Sequence, residues 1–152
     1  MASGEDDPAE IVTKINDQLC RDNEEMMFVT MIVGILDIDK GELQLCNAGH
    51  NPAYIGVEQL SLSKNIPVGL MDGYAYKTDT MPFAKGSRLV LYTDGVTEAE
   101  NEAHEQFGEE RLEEVLKSKP SDICEAVVHA VRDFTNGFDQ SDDITIMSVE
   151  LF

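Results

Sequence analysis

The chain has 152 residues, a length that suits one domain around a single core. Apolar residues make up 42% and charged residues 27%, close to the globular average, so a folded domain is the default. Thirty acidic residues against eleven basic ones leave a formal net charge of −19, which excludes nucleic acid and anionic membrane surfaces as partners, because both require clustered Lys and Arg.

Residues 1–7 read as a leader, disordered or left over from cloning, and residues 8–152 as the domain. The first residues are acidic and polar rather than basic then apolar, so they do not read as a signal peptide. Asp7-Pro8-Ala9-Glu10 is a helix start: a capping carboxylate, proline at the first helical position, and Glu three residues after the cap. Ile11, Ile15 and Leu19 continue it as one apolar stripe to about Arg21, and Asp22-Asn23-Glu24 breaks the pattern. Met26 to Leu36 is almost continuously apolar and predicts a strand covered on both faces, with Met26, Met27, Met31 and Met81 as core filler. Thr30 and Gly34 interrupt this run, which falls short of the roughly 18 residues a membrane helix needs.

Asp37 to Gly41 predicts a hairpin loop, and Glu42 to Cys46 the antiparallel return strand. Asn47-Ala48-Gly49-His50-Asn51-Pro52 makes a sharp corner into a short strand at Ala53 to Ile55. Tyr74 to Thr80 alternates like a strand, and Arg88 to Thr93 is a buried strand ending at Asp94-Gly95. Helices are predicted over Glu109 to Lys117, with Phe107 stapling its start, and over Ser121 to Phe134, ended by Asn136-Gly137. Ile144 to Leu151 is the last strand, and the order is α+β, helices on a mainly antiparallel sheet. Cys20, Cys46 and Cys124 are odd in number and widely spaced, as in small core residues of a reducing compartment.

Two loops present carboxylates beside buried strands. Asp94 ends one strand, and its neighbour Gly95 permits close backbone approach. Asp142 and Asp143 precede the last strand, where adjacent residues point to opposite sides. Taken singly, Asp94 also fits a helix cap and Asp142-Asp143 an Asx turn. Taken together, two strand-end carboxylates suit a hard divalent cation, which wants oxygen ligands and keeps several waters. His50 fits a brace for its corner or a place near such a pocket. His104 and His129 read as solvated.

Asn47-Ala48-Gly49-His50-Asn51-Pro52, Tyr92-Thr93-Asp94-Gly95-Val96-Thr97-Glu98-Ala99, Phe107-Gly108-Glu109-Glu110-Arg111-Leu112 and Ser141-Asp142-Asp143-Ile144-Thr145 occur in this order and spacing. With Met27-Phe28-Val29-Thr30 and Ile66-Pro67-Val68-Gly69-Leu70, they resemble the bacterial PP2C-like (PPM) serine/threonine phosphatases, in the sporulation and stress-response (SpoIIE/RsbU-type) branch. The resemblance implies a layered β-sandwich flanked by helices, with two Mn²⁺ or Mg²⁺ ions in a complete domain. It implies hydrolysis of phosphoserine or phosphothreonine on a regulatory protein, such as an anti-sigma-factor antagonist, by a metal-activated water. Asp94 and Asp142 match the family's metal ligands; Asp143, Gly95 and His50 match supporting positions. No catalytic residue beyond the metal ligands is implied, and the location is cytoplasmic, alone or within a larger sensor protein.

The family also carries a GDVxGHG-type motif whose aspartate bridges the metals, and this sequence has none. The resemblance is therefore to the C-terminal part of the domain, truncated at its N-terminus. One metal or none is expected on this chain, with weak turnover, and a homodimer through surface exposed by the truncation. Two alternatives stay open: a catalytically inactive interaction module, favoured by the missing motif, and a divalent-metal hydrolase of small phosphoesters.

Overall fold

A computed structural model describes residues 7–21, 23–140 and 142–152. Of the predicted leader only Asp7 falls among these, and Asp22 and Ser141 lie outside them. The chain divides into two compact units: residues through Pro52 with Ser61–Lys85, and Ala53–Leu60 with Gly86–Phe152. Each has its own core of buried apolar side chains, where the length suggested a single one.

In the first unit, α1 (Pro8–Arg21) begins as its sequence dictates, with the Asp7 carboxylate accepting the Ala9 N–H at 3.0 Å. Strands β1 (Met31–Asp37) and β2 (Glu42–Ala48) form an antiparallel hairpin, and β5 (Asp79–Pro82) pairs with the other edge of β2. Gly41, at φ 62°, takes the left-handed turn position that the hairpin needs. Ala9 and Val12 of α1 pack with Cys46 and Ala48 of β2 and with Val68 and Tyr76.

In the second unit the sheet order is β4-β3-β6-β7, with β3 (Tyr54–Ile55), β4 (Glu58–Gln59), β6 (Arg88–Tyr92) and β7 (Ile146–Glu150), all antiparallel. A short α2 (Asp94–Thr97) is followed by α3 (Gly108–Lys117) and α4 (Ile123–Thr135). Asp122 caps α4 by accepting the Glu125 N–H at 2.9 Å, and Asn136, at φ 48°, closes it in the left-handed conformation. Tyr54, Val90 and Tyr92 from the strands meet Leu112, Leu116, Val127 and Val131 from the helices. Phe107 is buried in this core, but its ring meets Phe134 of α4 edge to face rather than a residue in the first turn of α3, so it joins the two helices instead of stapling the start of α3.

Three expectations are corrected. The strand predicted from Met26 begins only at Met31, its residues are half-buried rather than covered on both faces, and Met26 and Met27 are exposed instead of core filler. The cause is local: the Asn23 side chain binds both the N–H and the carbonyl of Met27, and Met26 sits at φ 51°, outside strand geometry. Tyr74 to Thr78 is not a strand either, because the Lys77 N–H goes to the Asn65 side chain at 2.9 Å. The two tyrosines instead stack edge to face at 4.8 Å, Tyr76 in the α1-side core and Tyr74 against it. Of the three cysteines only Cys46 is fully buried.

Candidate functional site

The site is built where β6 hands over to α2. Thr93 is extended, with φ −90° and ψ 161°, and its N–H donates to the Thr145 carbonyl at 3.0 Å, continuing the β6–β7 ladder by one residue. Its hydroxyl accepts the Thr145 N–H at 3.0 Å and donates to the Asp143 carbonyl at 3.1 Å. One threonine thus fastens the two carboxylate-bearing loops to each other. The sequence reading passed over Thr93; the signal available was a hydroxyl at the strand end, flanking the Asp-Gly pair.

Gly95 completes the junction. It is buried, and a Cβ there would lie 2.9 Å from the Asp143 carbonyl carbon, closer still to its oxygen, and 3.3 Å from the Asp142 carbonyl oxygen. Glycine is required for room, not for backbone conformation. The close approach foreseen for this residue is therefore made to the Asp142–Asp143 main chain.

Asp94, Asp142 and Asp143 are all exposed. Asp94 Oδ1 accepts the Gly95 N–H at 3.0 Å, and Asp142 Oδ1 accepts the Asp143 N–H at 2.7 Å. Each carboxylate is steered by the amide that follows it, and among the described residues neither Oδ2 accepts a hydrogen bond. Gln140 donates its side-chain amide to the Asp142 carbonyl, bracing the loop from the other side. Asp143, Gln140, Thr145, Arg132, Glu100 and Val131 line a cleft of about 760 Å³ beside the junction.

His50 belongs to the first unit and is half-buried at its corner. Asn47 accepts the His50 N–H at 2.8 Å and donates to the His50 and Asn51 carbonyls, so Asn47 is what braces the turn. The ring Nδ1 lies 3.4 Å from the Thr30 hydroxyl.

Hard oxygen donors on a rigid junction fit a divalent cation in chemistry. They fall short in number: among the described residues no group of three or more His, Cys, Asp or Glu is arranged to hold a metal ion. No described helix is long and apolar enough to cross a membrane.

Comparison with known proteins gives this arrangement a family. The model of Stage II sporulation protein E matches residues 1–152. Protein IcfG of Synechocystis sp. is 34% identical over 142 residues, covering 88% of this chain and 22% of its own length. The phosphoserine phosphatase RsbU of Bacillus subtilis is 27% identical over 100 residues, covering 62% of this chain and 30% of that protein. The phosphoserine phosphatase RsbP of the same organism is 25% identical over 138 residues, covering 86% and 32%. Among solved structures, the SiaA-PP2C domain of Pseudomonas aeruginosa superposes with a TM-score of 0.77 at 27% identity, over 99% of this chain and 63% of that one. The PP2C phosphatase domain of SpoIIE from Bacillus subtilis gives the same TM-score at 21% identity, over 97% and 46%, a likeness of fold. The chain spans less than a third of the length of these curated relatives. With a family match over residues 1–152 and an α+β fold shared with PP2C domains, the chain belongs to the Stage II sporulation protein E (SpoIIE) family of bacterial PP2C-like phosphatases.

Proposed function

We propose that this chain is the part of a metal-dependent protein serine/threonine phosphatase that supplies Asp94 and Asp142 as ligands to Mn²⁺ or Mg²⁺. The observation that carries the reading is the Gly95 contact: it sets the loop of one exposed aspartate directly on the backbone of the other. Asp94 and Asp142 concentrate negative charge at one junction, while Thr93, Gly95 and the carbonyl of Asp143 hold the two loops at fixed separation. The cleft lined by Asp143 and Arg132 gives a phosphorylated protein segment room to lie beside that junction. A phosphoserine or phosphothreonine of a regulatory protein is the substrate, an anti-sigma-factor antagonist being the type, since two relatives bear the name phosphoserine phosphatase. The setting is the cytoplasm. Two metal ions belong to a complete site, and one or none to this chain, the other donors coming from a GDVxGHG-type segment that this sequence does not contain.

A non-catalytic interaction module is the second reading, favoured by the absence of a three-donor cluster among the described residues. Calorimetric titration with Mn²⁺, followed by Mn²⁺-dependent hydrolysis of para-nitrophenyl phosphate, separates the two. Under the phosphatase reading, Asp94→Asn and Asp142→Asn each weaken Mn²⁺ binding and remove any turnover, while circular dichroism stays unchanged. Mn²⁺ affinity untouched in both variants would sink the assignment. Joining the chain to a segment bearing the GDVxGHG motif should raise activity on a seryl-phosphorylated protein above that on small esters.

A further inference from the structure

The cleft beside Asp143 holds a cation with no partner among the described residues. Its charged lining residues are Glu100, Asp143 and Arg132. The Glu100 carboxylate is engaged by His104, whose Nδ1 lies 3.0 Å away. Arg132 is exposed, and among the described residues its guanidinium makes neither an ion pair nor a hydrogen bond. We propose that Arg132 reads the substrate at this site, pairing through two parallel N–H···O bonds with an oxyanion of the phosphorylated segment: the phosphoryl group itself or a carboxylate beside the phosphoresidue. The inference rests on the phosphatase reading and adds to it the group that recognises what is hydrolysed.

The other cations of the second unit show how unusual that is. The unit has five Lys and Arg residues in a chain with thirty acidic ones, so an unpaired cation is scarce by composition. Arg88 pairs with Glu150 and donates to the Pro120 carbonyl at 2.9 Å, and Lys117 meets Glu113 at 3.0 Å. Arg111 donates to the carbonyls of Gln106 and Phe107 at 3.1 and 2.9 Å, with its guanidinium over the Phe134 ring. Lys119 lines a separate hollow with Gly86 and Arg88 at the start of β6, whereas Asp94 stands beyond the end of that strand. Among the described residues Arg132 is the only Lys or Arg lining the cleft, and the fold does not use its charge.

Electrostatics give that charge a task. Asp94, Asp142 and Asp143 concentrate negative charge at the junction, and a phosphorylated segment is itself anionic, so every substrate oxyanion not resting on metal is repelled there. A guanidinium on the cleft wall offsets that repulsion, and its planar fork matches phosphate and carboxylate where a lysine offers only a point charge. The backbone that carries it is firm. Val127 and Val131 of the same helix are buried in the core, and the Arg132 carbonyl accepts the Asn136 N–H at 3.0 Å in the closing turn.

The test uses the chain as it stands, with Mn²⁺ present, and three fluorescein-labelled peptides of one backbone. One carries phosphoserine between alanines, one carries phosphoserine between aspartates, and one carries unmodified serine between aspartates. By anisotropy, Arg132→Gln should weaken binding of the aspartate-flanked phosphopeptide about tenfold. The same loss with alanine flanks assigns the phosphoryl group as the oxyanion; a loss confined to the two aspartate-flanked peptides assigns the carboxylates. Arg132→Lys should restore only part of the affinity, and Lys119→Gln, which removes the same charge away from the cleft, should leave binding unchanged. Equal binding by the unaltered chain and Arg132→Gln overturns the proposal, as does failure of the unaltered chain to bind any of the three. Full recovery in Arg132→Lys overturns the two-pronged contact, and a loss in Lys119→Gln equal to that in Arg132→Gln leaves only net charge at work. Calorimetric Mn²⁺ titration keeps the two readings apart: Mn²⁺ affinity that ignores Asp94→Asn and Asp142→Asn sinks the phosphatase assignment, whereas Mn²⁺ binding through those aspartates with peptide affinity indifferent to Arg132 sinks this proposal alone.

Discussion

Gly95→Ala adds one methyl group where α2 starts against the Asp142–Asp143 backbone. The new Cβ meets main chain, 2.9 Å from the Asp143 carbonyl carbon, and main chain cannot swing aside as a side chain can. Ordinary contact begins near 3.4 Å, so the loop must retreat by about 0.5 Å or more. That shift takes the Thr93–Asp143 hydrogen bond from 3.1 Å to about 3.6 Å, past bonding range. Overpacking of this kind costs about 1–3 kcal/mol and the lost hydrogen bond about 1 kcal/mol. The expected loss of stability is about 2–4 kcal/mol, read as a lower urea midpoint at unchanged slope. Because the methyl group acts by breaking a bond that Thr93 makes, a double-mutant cycle with Thr93→Val is the sharper readout. Thr93→Val should cost less in the Gly95→Ala background than alone. Strict additivity, or a Gly95→Ala effect below about 0.5 kcal/mol, refutes the account of Gly95 as a spacer between the two loops.

Asn16→Ala strands the Gly69 N–H and the Met71 carbonyl and takes a partner from the Tyr76 hydroxyl, at a cost of about 2–4 kcal/mol in thermal or urea unfolding. Arg88→Met removes the cross-strand pair with Glu150 and the bond to the Pro120 carbonyl, both partly buried; about 1–3 kcal/mol should disappear from the same measurement. Alkaline pH should destabilise the first unit. Burial, reinforced by Asp7 and Asp79, pushes the Cys46 thiol from 9.0 up to about 11, and burial pushes the Tyr76 hydroxyl from 10.0 up to about 12. Both groups hold their protons more tightly when folded, so the Cys46 contribution is complete below about pH 9 and lost as pH rises toward 11, and that of Tyr76 is complete below about pH 10 and lost toward 12. Calorimetric melting temperatures should fall across that window, and Cys46→Ala should flatten the fall; a profile level from pH 9 to 11 contradicts the burial assigned to Cys46.

What could be read beforehand follows from how local each signal was. Helix α1 was legible at its start, because its cap and its proline are adjacent in sequence, but the face it buries is Ala9, Val12 and Asn16, while the apolar stripe Ile11, Ile15 and Leu19 stays half-buried or exposed. The β1–β2 hairpin and the end of α4 were legible for the same reason: Gly41 and Asn136 carry conformations that their neighbours demand. Met26 to Val29 misled because its composition is that of a buried strand, while its conformation is set by Asn23 and by a segment some forty residues away. Tyr74 to Thr78 misled through alternation, since the backbone bond that decides the matter comes from Asn65. At the site, Asp94, Gly95, Asp142 and Asp143 stood out because carboxylates and glycine are chemically conspicuous. Thr93 did not, although it makes the bonds that join them; its importance exists only once β6 and β7 are paired.

The path of the chain through its two units has a consequence for cutting it apart. The polypeptide leaves the first unit at Pro52, lends Ala53–Leu60 to the second, returns at Ser61 and departs again at Lys85. The lent hairpin is not peripheral: Tyr54 is fully buried in the second core and pairs with Val90 of β6. No single scission therefore yields two intact halves. A protein severed at Lys85 leaves the segment from Gly86 onward with β6 bare along one edge and a tyrosine-sized void in its core. The preceding segment keeps a two-strand ribbon with nothing to lie against. Folding is correspondingly non-local, because β6 cannot complete its sheet until residues more than thirty positions earlier have arrived. Interlacing of this kind ties the sheet of the second unit to a segment that lies between two stretches of the first in sequence.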